Sequence, residues 1–288
     1  MHTGETGLTP LELQQRLRGK QGVLVLLGDR IDRAAIEAGT DLKIIANVAV
    51  GYDNLDVAYA RSKGIVCTNT PDVLTDAVAD YTWALILTMT RRLGEGERIV
   101  RRGEWQGWAF DFMLGTSLAG KQLGIIGAGR IGRAVADRAG AFGMRVAVHS
   151  RRQVDWPEAE WMSFDRLLAI SDVVSLHVPL TADTRKLIDQ RALARMKRTA
   201  YLVNTTRGAV VDEAALAWAL REHLIAGAAL DVFEREPIVH PDLLPLENVI
   251  LAPHLGSATR ETRLAMADLA VRNVLAVLTG REALTPIG

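Results

Sequence analysis

Apolar residues in this chain come in short continuous runs, separated by longer segments in which they recur at helical spacing. Val23–Leu27, Ile44–Val48 and Ile65–Cys67 read as strands. Thr9–Leu17 reads as a helix with Pro10 in its first turn, and Ile31–Ala38 as a second. Asn54 is placed to cap a third, running through Val57, Ala58 and Ala60 to Lys63, with Gly64 ending it. Thr75–Arg92 is a long helix whose apolar residues (Val78, Tyr81, Trp83, Ala84, Leu85, Leu87) surround most of its circumference. So little polar face predicts burial against another domain or another subunit.

A second alternating series begins at Gln122. Leu123–Ile126, Arg145–Val148, Asp172–Leu176, Ala200–Val203, Ala226–Leu230 and Val249–Leu251 read as strands. Helices are expected at Arg130–Phe142, Ser163–Ala169, Asp189–Met196, Asp212–Glu222 and Arg260–Leu278. Continuous apolar strands alternating with helices predict an α/β fold, a doubly wound parallel sheet covered on both faces.

At 288 residues the chain is long enough for about two domains. An apolar share of 49% and a charged share of 24% exclude global disorder. Lys and Arg total 34, as do Asp and Glu, so no net charge draws the chain to nucleic acid or anionic lipid. Cys67 is the sole cysteine, which excludes an intrachain disulfide and fits a reducing compartment. No apolar run approaches the ~18–20 residues of a membrane span. The polar start, Met1–Pro10, has neither the basic residues nor the apolar block of a signal peptide. A soluble, cytoplasmic protein is expected, with no membrane, nucleic-acid or metal partner.

Gly127, Gly129 and Gly132 form G-A-G-R-I-G between a predicted strand and a predicted helix. In that context the first glycine permits the tight turn. The second lets the backbone approach a pyrophosphate, and the third lets helix and strand pack closely. The helix N-terminus then offers its free N–H groups to phosphate. Without a ligand the same glycines would describe only a tight turn. The next strand ends at Val148-His149-Ser150-Arg151-Arg152, and no carboxylate follows until Asp155. An acidic residue there would accept from the ribose 2′-OH of NAD, whereas arginines suit the 2′-phosphate of NADP. Ser150, Arg151 and Arg152 therefore predict a preference for NADPH, with NAD possible. The plainer reading is a solvated arginine pair in a loop.

Three later segments each follow a predicted strand: Asn204-Thr205-Thr206-Arg207-Gly208, Asp231-Val232-Phe233-Glu234-Arg235-Glu236-Pro237, and Ala252-Pro253-His254-Leu255-Gly256-Ser257-Ala258-Thr259. Ligands bind at the carboxyl ends of strands in open α/β sheets. Together with the glycine loop, Val48–Asp56 and His177–Thr184, these segments strongly resemble the D-isomer-specific 2-hydroxyacid dehydrogenase family. The match runs from about Val23 to Leu278 and is similar above all to the glyoxylate/hydroxypyruvate reductase branch.

The resemblance implies a Rossmann nucleotide domain, residues 73–258, and a smaller, discontinuous, flavodoxin-like substrate domain, residues 1–72 plus 259–288. It implies catalysis by Arg207, Glu236 and His254. A guanidinium suits the carboxylate of a 2-oxo acid, and an imidazolium can stabilise and protonate the carbonyl oxygen while Glu236 holds its other nitrogen. Alone, each of the three would pass for an ordinary loop residue. The resemblance also places Arg130, Ile131, Val178, Pro179 and Thr184 along the cofactor. Thr205, Asp231 and Gly256 fall on its nicotinamide side, and the main-chain N–H groups of Val50 and Gly51 at the substrate carboxylate. Trp108 matches an aromatic residue that reductase-branch relatives send toward the neighbouring subunit's site; packing a dimer interface is its other reading. A homodimer through residues 75–108 is expected. The family ordinarily begins with a further strand–helix–strand before the equivalent of Leu8, so the smaller sheet is expected to lack its usual first strands. Two alternatives stay open: a formate- or phosphite-type dehydrogenase on the same frame, and a nicotinamide-sensing, co-repressor-like binding protein.

Overall fold

The computed structural model describes residues 7–287, so residues 1–6 of the polar start, and Gly288, lie outside the described residues. The chain divides into two compact units, Met1–Leu74 with Thr259–Gly288, and Thr75–Ala258.

The smaller unit begins with α1 (Pro10–Leu17), closed by a capping box in which Thr9 and Glu12 satisfy each other's main-chain N–H groups. Leu13 and Leu17 on one face of α1 are buried. Three parallel strands follow, β1 (Gly22–Val25), β2 (Ile44–Asn47) and β3 (Val66–Thr68), hydrogen-bonded in that order. They alternate with α2 (Arg33–Ala38), capped by Asp32, and α3 (Val57–Ser62). The cap of α3 is Asp56 and not Asn54. A cap accepts from the first turn, and Asp56 stands immediately before it. The Asn54 amide instead donates to the carbonyls of Leu26 and Asp29, 3.1 Å from each, tying its loop to the end of β1.

The larger unit opens with α4 (Thr75–Thr90) and α5 (Leu93–Arg101), where a single helix to Arg92 is expected. Arg92 sits in the left-handed region at φ 53° and ends the run. Its guanidinium closes on Glu95 with two hydrogen bonds, which hold the break. Seven strands then form one parallel sheet: β4 (Gln122–Ile126), β5 (Arg145–His149), β6 (Glu160–Trp161), β7 (Val173–Leu176), β8 (Tyr201–Asn204), β9 (Gly227–Leu230) and β10 (Val249–Leu251). Their spatial order is β10-β9-β8-β7-β4-β5-β6. The chain starts in the middle, works outward through β5 and β6, then returns to β7 and works out the other way. That is the doubly wound Rossmann order, with its switch point between β4 and β7.

The connecting helices are α6 (Arg130–Asp137), α7 (Phe164–Ile170), α8 (Gln190–Arg195) and α9 (Glu213–Arg221). The helix expected over Arg130–Phe142 stops at Asp137 and tightens into a 3₁₀ turn, Ala139–Phe142, which Gly143 closes at φ 65°. Every residue of β4, β7 and β9 is buried, because apolar cores lie on both faces of the sheet. On one face Trp83 of α4 stacks on Phe142 and donates its indole N–H to the Val135 carbonyl, 2.9 Å away.

The chain re-enters the smaller unit as α10 (Arg260–Leu278), capped by Thr259. Ala270, Val274 and Val277 pack on Ile44 and Ala46 of β2. A Cβ on Gly22 of β1 would lie 3.1 Å from Val274 and 3.2 Å from Ile44, so strand and helix meet at contact distance. Among the described residues no helix is long and apolar enough to cross a membrane.

Candidate active site

The ends of β8, β9 and β10 lie side by side, and each carries one of the three predicted groups. Asn204, the last residue of β8, is fully buried and shapes the turn that follows. Its side-chain oxygen accepts from both the Thr206 N–H and the Thr206 hydroxyl, and its side-chain NH2 donates to the Arg207 carbonyl. Arg207 is held in extended backbone, with one guanidinium nitrogen donating to the Thr206 carbonyl at 2.9 Å. Gly208 comes next. A Cβ there would land on the peptide group joining Phe233 to Glu234, so only glycine lets the Arg207 turn lie against the segment after β9.

That segment carries Glu236. One carboxylate oxygen accepts from the Phe233 N–H at 3.1 Å, and the other meets Nδ1 of His254 at 2.9 Å. The segment is anchored a second time on α9. The buried Glu213 carboxylate accepts from the Glu234 N–H, and the Glu234 carboxylate accepts from the Glu213 N–H. Burial pushes the Glu236 carboxyl up. The His254 hydrogen bond and charge, the Phe233 amide and the Arg207 guanidinium outweigh it, and hold the group below its usual range. Glu236 is therefore an anion bonded to His254, within reach of the Arg207 charge.

His254 has a left-handed backbone, φ 56°, unusual for a residue other than glycine, asparagine or aspartate. Asp231, buried at the end of β9, imposes it. Its carbonyl accepts the His254 N–H, and its carboxylate oxygens accept the N–H groups of Leu255 and Gly256, at 2.7 and 2.8 Å. Three successive amides thus converge on one residue. Burial raises the Asp231 carboxyl above its usual range, although the two amides and His254 pull the other way. Helix α4 backs the same corner: Tyr81 has its phenol pushed up to about 12 by burial and by the Asp231 charge. Neither the clamping role of Asp231 nor the approach of α4 is visible in the motifs. The first joins the ends of adjacent strands 24 and 25 positions apart, and the second joins positions 123 apart.

At the switch point, Gly127 has φ 108°, and a Cβ on it would collide with the His177 carbonyl. A Cβ on Gly132 would collide with the Gly127 carbonyl, which fixes how closely α6 follows the turn. Gly129 faces open space and caps α6 without a side-chain bond, so the first turn of α6, beginning at Arg130 and Ile131, starts directly behind the glycines. Such a cradle fits a pyrophosphate. His177, immediately before Val178 and Pro179, is half-buried, with Nδ1 out of solvent and Nε2 2.8 Å from the Ser175 hydroxyl. Burial pushes its imidazole down to about 3, so it stays neutral.

Beyond β5, Arg151 and Arg152 are exposed, and the Ser150 hydroxyl donates to the Arg152 carbonyl at 2.6 Å. The Thr184 hydroxyl is engaged inside its own turn, donating to the Pro179 carbonyl and accepting from the Thr181 N–H. Thr205 and Gly256 lie against α4. Trp108 is 83% exposed on the segment after α5. Val50 and Gly51 belong to the smaller unit, where the side-chain amides of Asn69 and Asn47 hold their carbonyls, each at 2.8 Å.

Comparisons with known proteins agree with this architecture. Residues 83–256 match the model of the D-isomer specific 2-hydroxyacid dehydrogenase NAD binding domain. A glyoxylate reductase from Thermococcus litoralis is 48% identical over 276 residues, covering 93% of this chain and 83% of that protein. The TT0316 protein of Thermus thermophilus superposes with a TM-score of 0.94 at 46% identity, covering 98% of this chain and 91% of the other. An NADPH-dependent glyoxylate/hydroxypyruvate reductase from Sinorhizobium meliloti, solved with NADP and malonate, has a TM-score of 0.89 at 41% identity, over 95% of this chain and 85% of its own. With its Rossmann strand order, its glycine cradle and this extent of likeness, the chain belongs to the D-isomer specific 2-hydroxyacid dehydrogenase family.

Proposed function

We propose that the chain reduces a small 2-oxo acid of the glyoxylate or hydroxypyruvate type to the D-2-hydroxy acid, reversibly, with a nicotinamide dinucleotide. The observation that carries this reading is the His254–Glu236 pair at 2.9 Å, beside Arg207 and at the ends of three adjacent strands. The glycine cradle would hold the dinucleotide, which supplies the hydride. Arg207 pairs with the substrate carboxylate through its planar fork of donors. Negative charge develops on the carbonyl oxygen as the carbonyl carbon is reduced. Since Nδ1 of His254 faces Glu236, Nε2 is the nitrogen left to donate to that oxygen and then to protonate it. Glu236, kept ionised, bonds to Nδ1 and orients the ring so that Nε2 is presented for this step. In alcohol oxidation the same nitrogen accepts the proton.

The cofactor is proposed to be NADPH in preference to NADH. Arg151 and Arg152 offer two positive charges at the end of β5, where no carboxylate stands to repel a 2′-phosphate. The Sinorhizobium meliloti relative is described as NADPH-dependent. Absorbance of the reduced cofactor, followed against a panel of small 2-oxo acids with NADPH and then NADH, tests both readings. Turnover of glyoxylate or hydroxypyruvate is expected, with a higher kcat/KM for NADPH. No turnover of any 2-oxo acid rejects the reaction, and equal or better efficiency with NADH rejects the preference.

The protein is proposed to be a homodimer. Trp105, Trp108, Phe110 and Leu114 are all more than half exposed within one short segment, an apolar patch of the composition that interfaces bury. Sedimentation equilibrium should give twice the 31.4 kDa chain mass, and a single-chain mass would reject the dimer.

A further inference from the structure

Thr82 lies on α4 and is fully buried. Its hydroxyl donates to the Val78 carbonyl, one turn earlier, at 2.8 Å. A threonine hydroxyl has a single hydrogen. The Thr205 hydroxyl, 3.2 Å from the same Thr82 oxygen, is then the donor of that second pair. Thr205 therefore directs its only hydrogen inward. Whatever meets its half-buried oxygen from outside finds lone pairs and no hydrogen. The neighbouring residues offer no competing arrangement, because the Thr206 hydroxyl is turned back onto Asn204 at 2.8 Å. Val78, the acceptor at the root of the chain, also stands behind Gly256: a Cβ on that glycine would lie 3.6 Å from it. One turn of α4 thus backs two strand-end loops and sets the hydrogen-bonding sense of one of them.

We propose that Thr82 is a positioning residue that locks Thr205 as a hydrogen-bond acceptor, so that the site selects a nicotinamide ring by the N–H donors of its carboxamide. This inference rests on the reading of Thr205 as lying on the nicotinamide side. A ring substituent of the same shape without a donor would leave the Thr205 lone pairs unmatched, and loses affinity for that reason.

The test is equilibrium binding in the absence of substrate, read by quenching of tryptophan fluorescence. The ligands are the reduced dinucleotide and its reduced 3-acetylpyridine counterpart, which replaces the amide NH2 with a methyl group. The phosphorylated and unphosphorylated forms are each used. The unaltered protein should prefer the nicotinamide form by about 5- to 10-fold, the effect of one matched hydrogen bond. Thr82→Val keeps the shape but removes the acceptor, which frees the Thr205 hydroxyl to turn; the preference should fall below about twofold. Thr82→Ser retains the hydroxyl and should restore it. If Thr82→Val fails to fold by circular dichroism, Thr82→Ala serves as the second variant with the same expectation.

Thr205→Val separates the two layers of the argument. Loss of preference in Thr205→Val, with full preference in Thr82→Val or Thr82→Ala, overturns the lock and leaves the placement of Thr205 standing. Full preference in Thr205→Val overturns the placement, and the lock with it. Neither outcome touches the 2-oxo acid assignment, which the substrate panel decides.

Discussion

His254→Asn should lower turnover of a 2-oxo acid by about 10²- to 10⁴-fold while leaving cofactor binding and thermal stability near those of the unaltered protein. Asparagine is the right probe because of the backbone. His254 is left-handed, and alanine there would add conformational strain to the loss of chemistry, whereas asparagine tolerates that region. The loop does not depend on the imidazole: the N–H groups of residues 254–256 all bond to Asp231. An asparagine side chain can still reach Glu236 but cannot deliver a proton at neutral pH. The loss should therefore appear in kcat. Turnover within tenfold of normal across the pH range would show that proton transfer is assigned to the wrong residue.

Gly208→Ala should be at least as damaging, and by a different route. The added methyl would occupy the position of the Phe233–Glu234 peptide group, which is main chain and cannot rotate away. The two segments must separate, and they carry Arg207 and Glu236. Overpacking of this kind costs on the order of 3 kcal/mol or more, because no side chain can yield. A fall in melting temperature of several degrees and a loss of nearly all activity are expected. Gly140→Ala is the matched control. It lies in the 3₁₀ turn after α6 with nothing within 4 Å of a Cβ, and should be close to neutral. Equal behaviour of the two variants would remove the close approach as the reason for glycine at position 208.

How much of this was legible follows from where each signal lies. Helix α10 is found with its full span, because Thr259 caps its start and neither proline nor glycine interrupts it before Gly280. The helix expected over Thr75–Arg92 is right until its last turn, since nothing in the letters marks Arg92 as left-handed; the Glu95 carboxylate stabilises that conformation. Asn54 looked like a cap because it is polar and precedes a helix, but its amide found carbonyls across the fold instead. In the site, Arg207, Glu236 and His254 sit in local motifs after strands, which is why the residues could be named. Their positioning could not be read the same way. Asp231 answers three amides of another strand's loop, the Glu213 and Glu234 carboxylates each accept the other's main-chain N–H, and Thr82 meets Thr205 at a separation of 123 positions. The apolar circumference of α4 marks it as buried against a neighbour, but nothing in the sequence marks its contacts with the strand-end loops.

The packing of α10 on β1 and β2 bears on how the molecule is made. Synthesis delivers the three strands of the smaller unit early, yet the helix that shields one side of their sheet is translated only after the seven-stranded sheet. Between them the whole nucleotide-type sheet emerges, as one uninterrupted stretch able to condense by itself. Ile44 and Ala46 therefore stay uncovered by their own helix for most of the journey from the ribosome. A nascent chain halted before Arg260 carries that bare aliphatic surface, and chaperones, or another copy's sheet, would meet it first.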